Sequence, residues 1–196
     1  MKHTRTLALL AFALVPSLAQ AHPGHAGHDI TGIGWGLAHP FTGLDHLLAM
    51  VAVGLWAVQL RGRALWALPL TFVGAMSLGG ALGMAGVAMP AVEPFLLISV
   101  LALGALIAFA VRLPLLAAMG VVALSALFHG QAHGTEMPAG ANGWLTAGGF
   151  VLATTLLHTA GVVGGLGLQR LAESRALRVA GAAIFAAAVL LGAGVL

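Results

Sequence analysis

Apolar residues lie along the chain in long unbroken stretches, at roughly 32–58, 64–86, 91–110, 114–134, 144–168 and 177–196, separated by short polar breaks. Each stretch is long enough to cross about 30 Å of hydrocarbon as a helix rising 1.5 Å per residue. None shows the period-two alternation of a barrel strand. The pattern predicts an all-α, polytopic membrane protein with six transmembrane helices. Ahead of them, Lys2 and Arg5 precede an apolar run from Leu7 to about Ala19, and Ala19-Gln20-Ala21 offers small residues where a signal peptidase reads. That run is short against the roughly 20 residues of a span. Residues 1–21 are therefore expected to be a cleavable signal peptide, and 22–196 the mature six-helix transmembrane domain.

Composition agrees with the pattern. The 196 residues are 60% hydrophobic and only 7% charged, with a mean hydropathy of +1.04, against about 25% charged in a soluble domain. A soluble fold could not cover its surface with so few charges. The formal net charge of +3 falls to +1 once Lys2 and Arg5 leave with the leader, and no basic run carries it, so nucleic acid is excluded as a partner. Absence of cysteine excludes disulfides, thiolate metal sites and cysteine nucleophiles.

A cleaved leader puts His22 outside and fixes the side of every loop. Arg61, Arg63, Arg112, Arg170, Arg175 and Arg178 then all fall in cytoplasmic loops, while Asp29, Glu93 and Glu136 lie outside. This is the positive-inside bias of a multi-pass membrane protein, with both mature termini facing outward. Spacings such as Gly79 to Gly83 and Gly161 to Gly165 predict close helix packing.

Histidine outnumbers the acids by nine to five, and ionisable groups inside spans usually mark a site or pathway. In the first span, His39-Pro40-Phe41-Thr42-Gly43-Leu44-Asp45-His46 places His39 and His46 two helical turns apart, with Asp45 beside them. Pro40 removes a backbone donor and should kink or open the helix next to His39. In the fourth, Phe128-His129-Gly130-Gln131-Ala132-His133-Gly134-Thr135-Glu136 sets His129, His133 and Glu136 at i, i+4 and i+7 on one face. Two imidazoles and a carboxylate suit Ni²⁺, Co²⁺ or Zn²⁺. His158 lies at mid-depth in the fifth span. Counting from the membrane faces suggests an outer layer of His39, His129 and His133, a deeper layer of Asp45, His46 and His158, and Glu136 at the mouth. Outside the membrane, His22, His25, His28 and Asp29 form a short His-rich segment that reads as metal binding, His22 with its free amine as a chelate. Met50, four residues after His46, offers either packing or a thioether.

The two motifs, His39-Pro40-x-x-Gly43-x-Asp45-His46-x-Leu48-x-Met50 and Phe128-His129-Gly130-x-Ala132-His133-Gly134-x-Glu136, resemble those of the HupE/UreJ family of bacterial nickel and cobalt permeases. The resemblance covers essentially the whole chain. It implies that His39, Asp45, His46, His129, His133 and Glu136 belong to a metal site or path. It also implies a functional link to hydrogenase, urease or cobalamin synthesis.

Ni²⁺ or Co²⁺ is thus the expected transported substrate, with no organic cofactor. No nucleotide-binding Gly-rich loop is present, so uptake should be secondary or facilitated. Protonated imidazole does not bind metal, so the site should weaken near and below about pH 6.5, the unperturbed histidine pKa. Two alternatives use the same residues: an intramembrane zinc-dependent hydrolase, and a periplasm-facing metal-binding accessory protein. The hydrolase lacks an HExxH pair and any general base beyond Glu136 or Asp45, and no enzyme is expected.

Overall fold

The computed structural model describes residues 32–137 and 142–196, with the side chains of residues 171–174 excepted. The leader and the His22 segment lie outside the described residues. Among the described residues six α-helices follow one another: α1 Ile33–Ala38, α2 Leu44–Leu60, α3 Ala64–Met84, α4 Val92–Ala108, α5 Leu115–Thr135 and α6 Gly143–Gly192. A 3-10 turn, His39–Phe41, joins α1 to α2. No strand occurs among the described residues.

The first span is broken as Pro40 predicts. With no N–H to donate, Pro40 sits in the 3-10 turn, which the Thr42 hydroxyl closes by donating to the His39 carbonyl at 2.7 Å. Gly43 follows in an extended conformation, and α1 with its turn meets α2 at 84°. His39 and His46 therefore do not share the face of one continuous helix.

The largest departure from the expected helix boundaries is in α6. Helical backbone runs from Gly143 through the break expected at 169–176 to Gly192, 50 residues in all. Its contacts nevertheless divide it. Gly149 lies against Ile33 and Leu37, Gly161 against Val51 and Gly54, and Gly165 against Leu55 and Val58, so the first half follows α1 and α2 in their own direction. In the second half Gly181 meets Ala108, Phe185 meets Gly104 and Gly192 meets Leu97, the reverse order along α4. Since α2 and α4 run in the same sense, with Gln59 bonded to the Ile107 carbonyl at one end and His46 and Ser99 both against His129 at the other, the two halves of α6 run oppositely.

Glycine brings helices into backbone contact. A Cβ on Gly79 would meet the Leu127 carbonyl, and one on Gly161 would stand 2.5 Å from the Val51 carbonyl. On α5, Gly130 lies against the Met76 carbonyl and Gly134 against that of Gly80. The glycines of the second motif thus hold α5 to α3 and leave its histidine face turned inward.

The distribution of polarity is inverted relative to a soluble protein. Leu116 is 82% exposed, Trp144 86% and Phe109 75%, whereas His129, Thr146 and Thr154 are fully buried. Such a surface is stable only against lipid. Four helical stretches are long and apolar enough to cross a membrane: Ala64–Met84, Leu115–Thr135, Gly143–Arg170 and Arg175–Gly192. The bent pair Ile33–Phe41 and Leu44–Leu60 makes a fifth if it is one span, and Val92–Ala108 is a shorter apolar helix of 17 residues. The chain is a multi-pass, all-helical membrane protein. α2 is its central element: Ala49, Met50, Ala52, Val53, Trp56 and Ala57 are fully buried, so Met50 packs in the core.

Candidate metal centre

The broken first span turns His39 toward the end of α5. Its Nε2 lies 2.9 Å from Glu136 Oε2, just beyond the last residue of that helix. One ligand atom from each of His39, His133 and Glu136 falls within 4.8 Å of the others. Trp35 stacks on the His39 ring at 4.3 Å between centroids, and Phe150 on the His133 ring at 4.2 Å. These two aromatic faces leave the imidazole edges as the reactive surface. Glu136 lies past the helical span, and its hydrogen bond from His39 holds the carboxyl below its usual range, as an anion.

A second group of ring nitrogens lies next to the first. The His46 ring is 4.5 Å from that of His133 and 4.8 Å from that of His129, between centroids. Asp45 Oδ1 is 2.8 Å from His46 Nδ1 and also accepts the His46 backbone N–H at 2.8 Å. An ionised carboxylate only accepts, so His46 carries its proton on Nδ1 and presents the lone pair of Nε2. A Cβ at Gly43 would stand 2.9 Å from Asp45 Oδ1 and 3.1 Å from His46 Nδ1, so the motif glycine makes room for this pair.

Ser99 of α4 fixes the His129 tautomer in the same way. Its hydroxyl proton goes to the Leu96 carbonyl at 2.7 Å, so the contact of 2.9 Å with His129 Nε2 is an N–H donated by the ring. His129 Nδ1 then bears the lone pair. Among the described residues His46 Nε2, His129 Nδ1 and both nitrogens of His133 are buried without a hydrogen-bond partner. Unpaired buried nitrogen is costly in a protein interior, and the rings that carry these four lie side by side. Their chemistry is that of borderline divalent cations. His133 belongs to both groups and joins them.

The layers expected from counting along the chain are regrouped. His46 lies with His129 and His133 because the bend at Pro40 folds the start of α2 toward α5. Asp45 orients His46 through its ring nitrogen. His158 stands apart: Phe72, fully buried, lies between, its ring 5.9 Å from His129 and 4.9 Å from His158. Both His158 nitrogens are buried and unpaired among the described residues. The sequence reading passed over Ser99, Phe72, Trp35 and Phe150. Ser99 left a signal, as the sole hydroxyl in the apolar run 94–108; the three aromatics left none, because an aromatic in an apolar helix is ordinary packing.

The opposite end of the bundle is basic. Arg61, Arg63 and Arg112 border one hollow there, and Arg178 Nε donates to the Ala108 carbonyl at 3.0 Å.

The sequence is similar to those of known proteins along nearly its whole length. The family described as HupE / UreJ protein matches residues 10–191. Protein HupE of Rhizobium leguminosarum bv. viciae is 44% identical over 187 residues, which cover 94% of this chain and 95% of the relative. No solved structure matches the chain. Proteins of the family are transport or accessory proteins, not enzymes, and are linked to metal ions and to the nickel metabolism of hydrogenase and urease. A hydrolase reading of the histidine cluster is thereby set aside. By motif, by extent of match and by helical architecture, the chain belongs to the HupE/UreJ family.

Proposed function

We propose that the protein imports Ni²⁺ or Co²⁺ from the periplasm across the bacterial inner membrane, as a secondary transporter or facilitator. The bent pair, α3, α4, α5 and the two halves of α6 make six spans in this reading, after a leader removed at Ala21, with both mature termini outside. The observation that carries the proposal is the convergence of His39, His133 and Glu136 within 4.8 Å, backed by unpaired nitrogens of His46 and His129. The ion meets the anionic Glu136 first, loses water to imidazole nitrogens, and passes inward toward His158. The arginines at the other end agree with a cytoplasmic placement there.

An inside-negative potential drives a divalent cation inward by about 4.6 kcal/mol per 100 mV, twice the roughly 2.3 for one charge. No nucleotide hydrolysis is needed. Purified protein in liposomes with an imposed potential should take up radiolabelled Ni²⁺ or Co²⁺ above the level of empty vesicles. Folded, correctly inserted protein that gives no such flux refutes the proposal.

A further inference from the structure

The arginine-lined hollow lies at the end of the bundle remote from the metal site. Its volume is about 300 Å³, and it is bordered by Arg61 and Arg63 from the α2–α3 turn and by Arg112 from the α4–α5 turn, with no acidic side chain on its lining among the described residues. Sidedness alone requires arginines somewhere in these loops. It does not require that two loops some fifty residues apart aim three like charges at one space, an arrangement that repels itself without a counter-charge. The turn is shaped for it: Arg61 and Gly62 are both left-handed, at φ 65° and 55°, which folds the loop back upon itself. α3 begins at Ala64 and α5 at Leu115, so the positive ends of two helices border the same space.

A second observation narrows the ligand. Gln59 lines the hollow and is only 8% exposed. Its Nε2 donates to the Ile107 carbonyl at 3.0 Å, which fixes the amide and leaves Oε1 buried without a donor among the described residues. The guanidiniums call for a phosphate, and this oxygen calls for a hydroxyl donor beside it. A phosphodiester bearing a hydroxyl satisfies both. Leu113 and Leu115 supply an apolar wall, and Leu116, the next residue along α5, is exposed.

We propose that this hollow binds the phosphoglycerol headgroup of an anionic phospholipid, with Arg61, Arg63 and Arg112 on the phosphate and Gln59 Oε1 accepting from a glycerol hydroxyl. The assignment rests on reading this end of the bundle as lying at a membrane surface, and it is independent of what the protein transports.

The test uses full-length protein, delipidated in detergent without transition metal and titrated with dioleoyl phosphatidylglycerol, dioleoyl phosphatidylcholine, glycerol 1-phosphate or inorganic phosphate, with bound lipid counted by native mass spectrometry. Phosphatidylglycerol should bind saturably and at least tenfold more tightly than phosphatidylcholine. R61Q/R112Q should lose that preference, and Q59L should weaken phosphatidylglycerol while leaving phosphatidylcholine unchanged. R61K/R112K keeps the charge and should keep most of the preference, which guards against misfolding of the neutral variant. Equal binding of the two lipids, or a preference unchanged in folded R61Q/R112Q, overturns the proposal. Inorganic phosphate or glycerol 1-phosphate binding as tightly as the lipid overturns its lipid identity. Because no metal is present, failure of this site and failure of the transport reading are separate results.

Discussion

His39 and Glu136 are 97 residues apart in the chain and 2.9 Å apart in space, His39 Nε2 against Glu136 Oε2. One stands in the turn that breaks the first span, the other just past the end of α5, and with His133 they form a group that could hold a metal ion. Removing either side should weaken the group beyond the loss of one contact. Glu136→Gln and His39→Ala are each expected to weaken Ni²⁺ binding at least tenfold, about 1.4 kcal/mol. The double variant should weaken it by less than the two effects combined, since the residues act as a unit. Calorimetric titration of the purified variants checks both statements.

Asp45 acts through His46. Asp45→Asn keeps the shape but can donate to the ring nitrogen, so the tautomer that frees Nε2 is no longer enforced. Loss of a carboxylate behind a ligating histidine costs about 10- to 100-fold in metal affinity. Ser99→Ala should have a smaller effect of the same kind through His129, because it removes the acceptor of the Nε2 proton. Metal titration with ring ¹⁵N chemical shifts distinguishes a changed tautomer from a lost fold.

The pH dependence follows from the sign of the Glu136 shift. Its pKa is lowered, so the interaction is fully present above the ordinary carboxylate value and is lost only as pH falls through the lowered one. Glu136 therefore stays anionic between about pH 7 and pH 5, the interval in which protons compete for imidazole lone pairs. Ni²⁺ binding should weaken across that interval in the native protein and in Glu136→Gln alike. A variant that binds Ni²⁺ equally well at pH 5 and pH 7 would place the titration on the carboxylate instead.

Phe72 separates the outer nitrogens from His158. Phe72→Ala should change the rate of Ni²⁺ flux by about tenfold or more while leaving equilibrium binding at the outer group within about twofold, and His158→Ala should slow flux without weakening that binding. Paired binding and proteoliposome measurements decide. Unchanged flux in His158→Ala at normal expression removes His158 from the path.

Packing gives a control unrelated to metal. Gly130→Ala would drive a methyl into the Met76 carbonyl and force α5 off α3, a change of the overpacking kind that costs about 1–3 kcal/mol. Gly74→Ala, with nothing within 4 Å of its Cβ, should be neutral or slightly stabilising. Thermal unfolding in one detergent orders the two.

Much of this was legible along the chain, for a physical reason: lipid imposes its constraint residue by residue. Every span must be apolar and internally hydrogen-bonded, so the runs at 64–86, 91–110 and 114–134 agree with α3, α4 and α5 to within two residues. Pro40 lacks a donor wherever it is placed, and the break beside it was foreseeable. The boundary at 169–176 was harder to read, because local polarity does not say whether helical backbone ends or carries through.

The sequence by itself determined the helical class, the arginine-rich and histidine-rich polar segments, and the chemistry on offer, since these depend on residue type and local spacing. Only the tertiary structure decided which histidines lie together. That the bend at Pro40 carries His39 to Glu136 and His46 to His129, that Ser99 fixes a tautomer, and that Phe72 stands between His129 and His158 all depend on contacts between helices. Those contacts are set by glycines that admit one backbone to another, and no periodicity within a single helix encodes them.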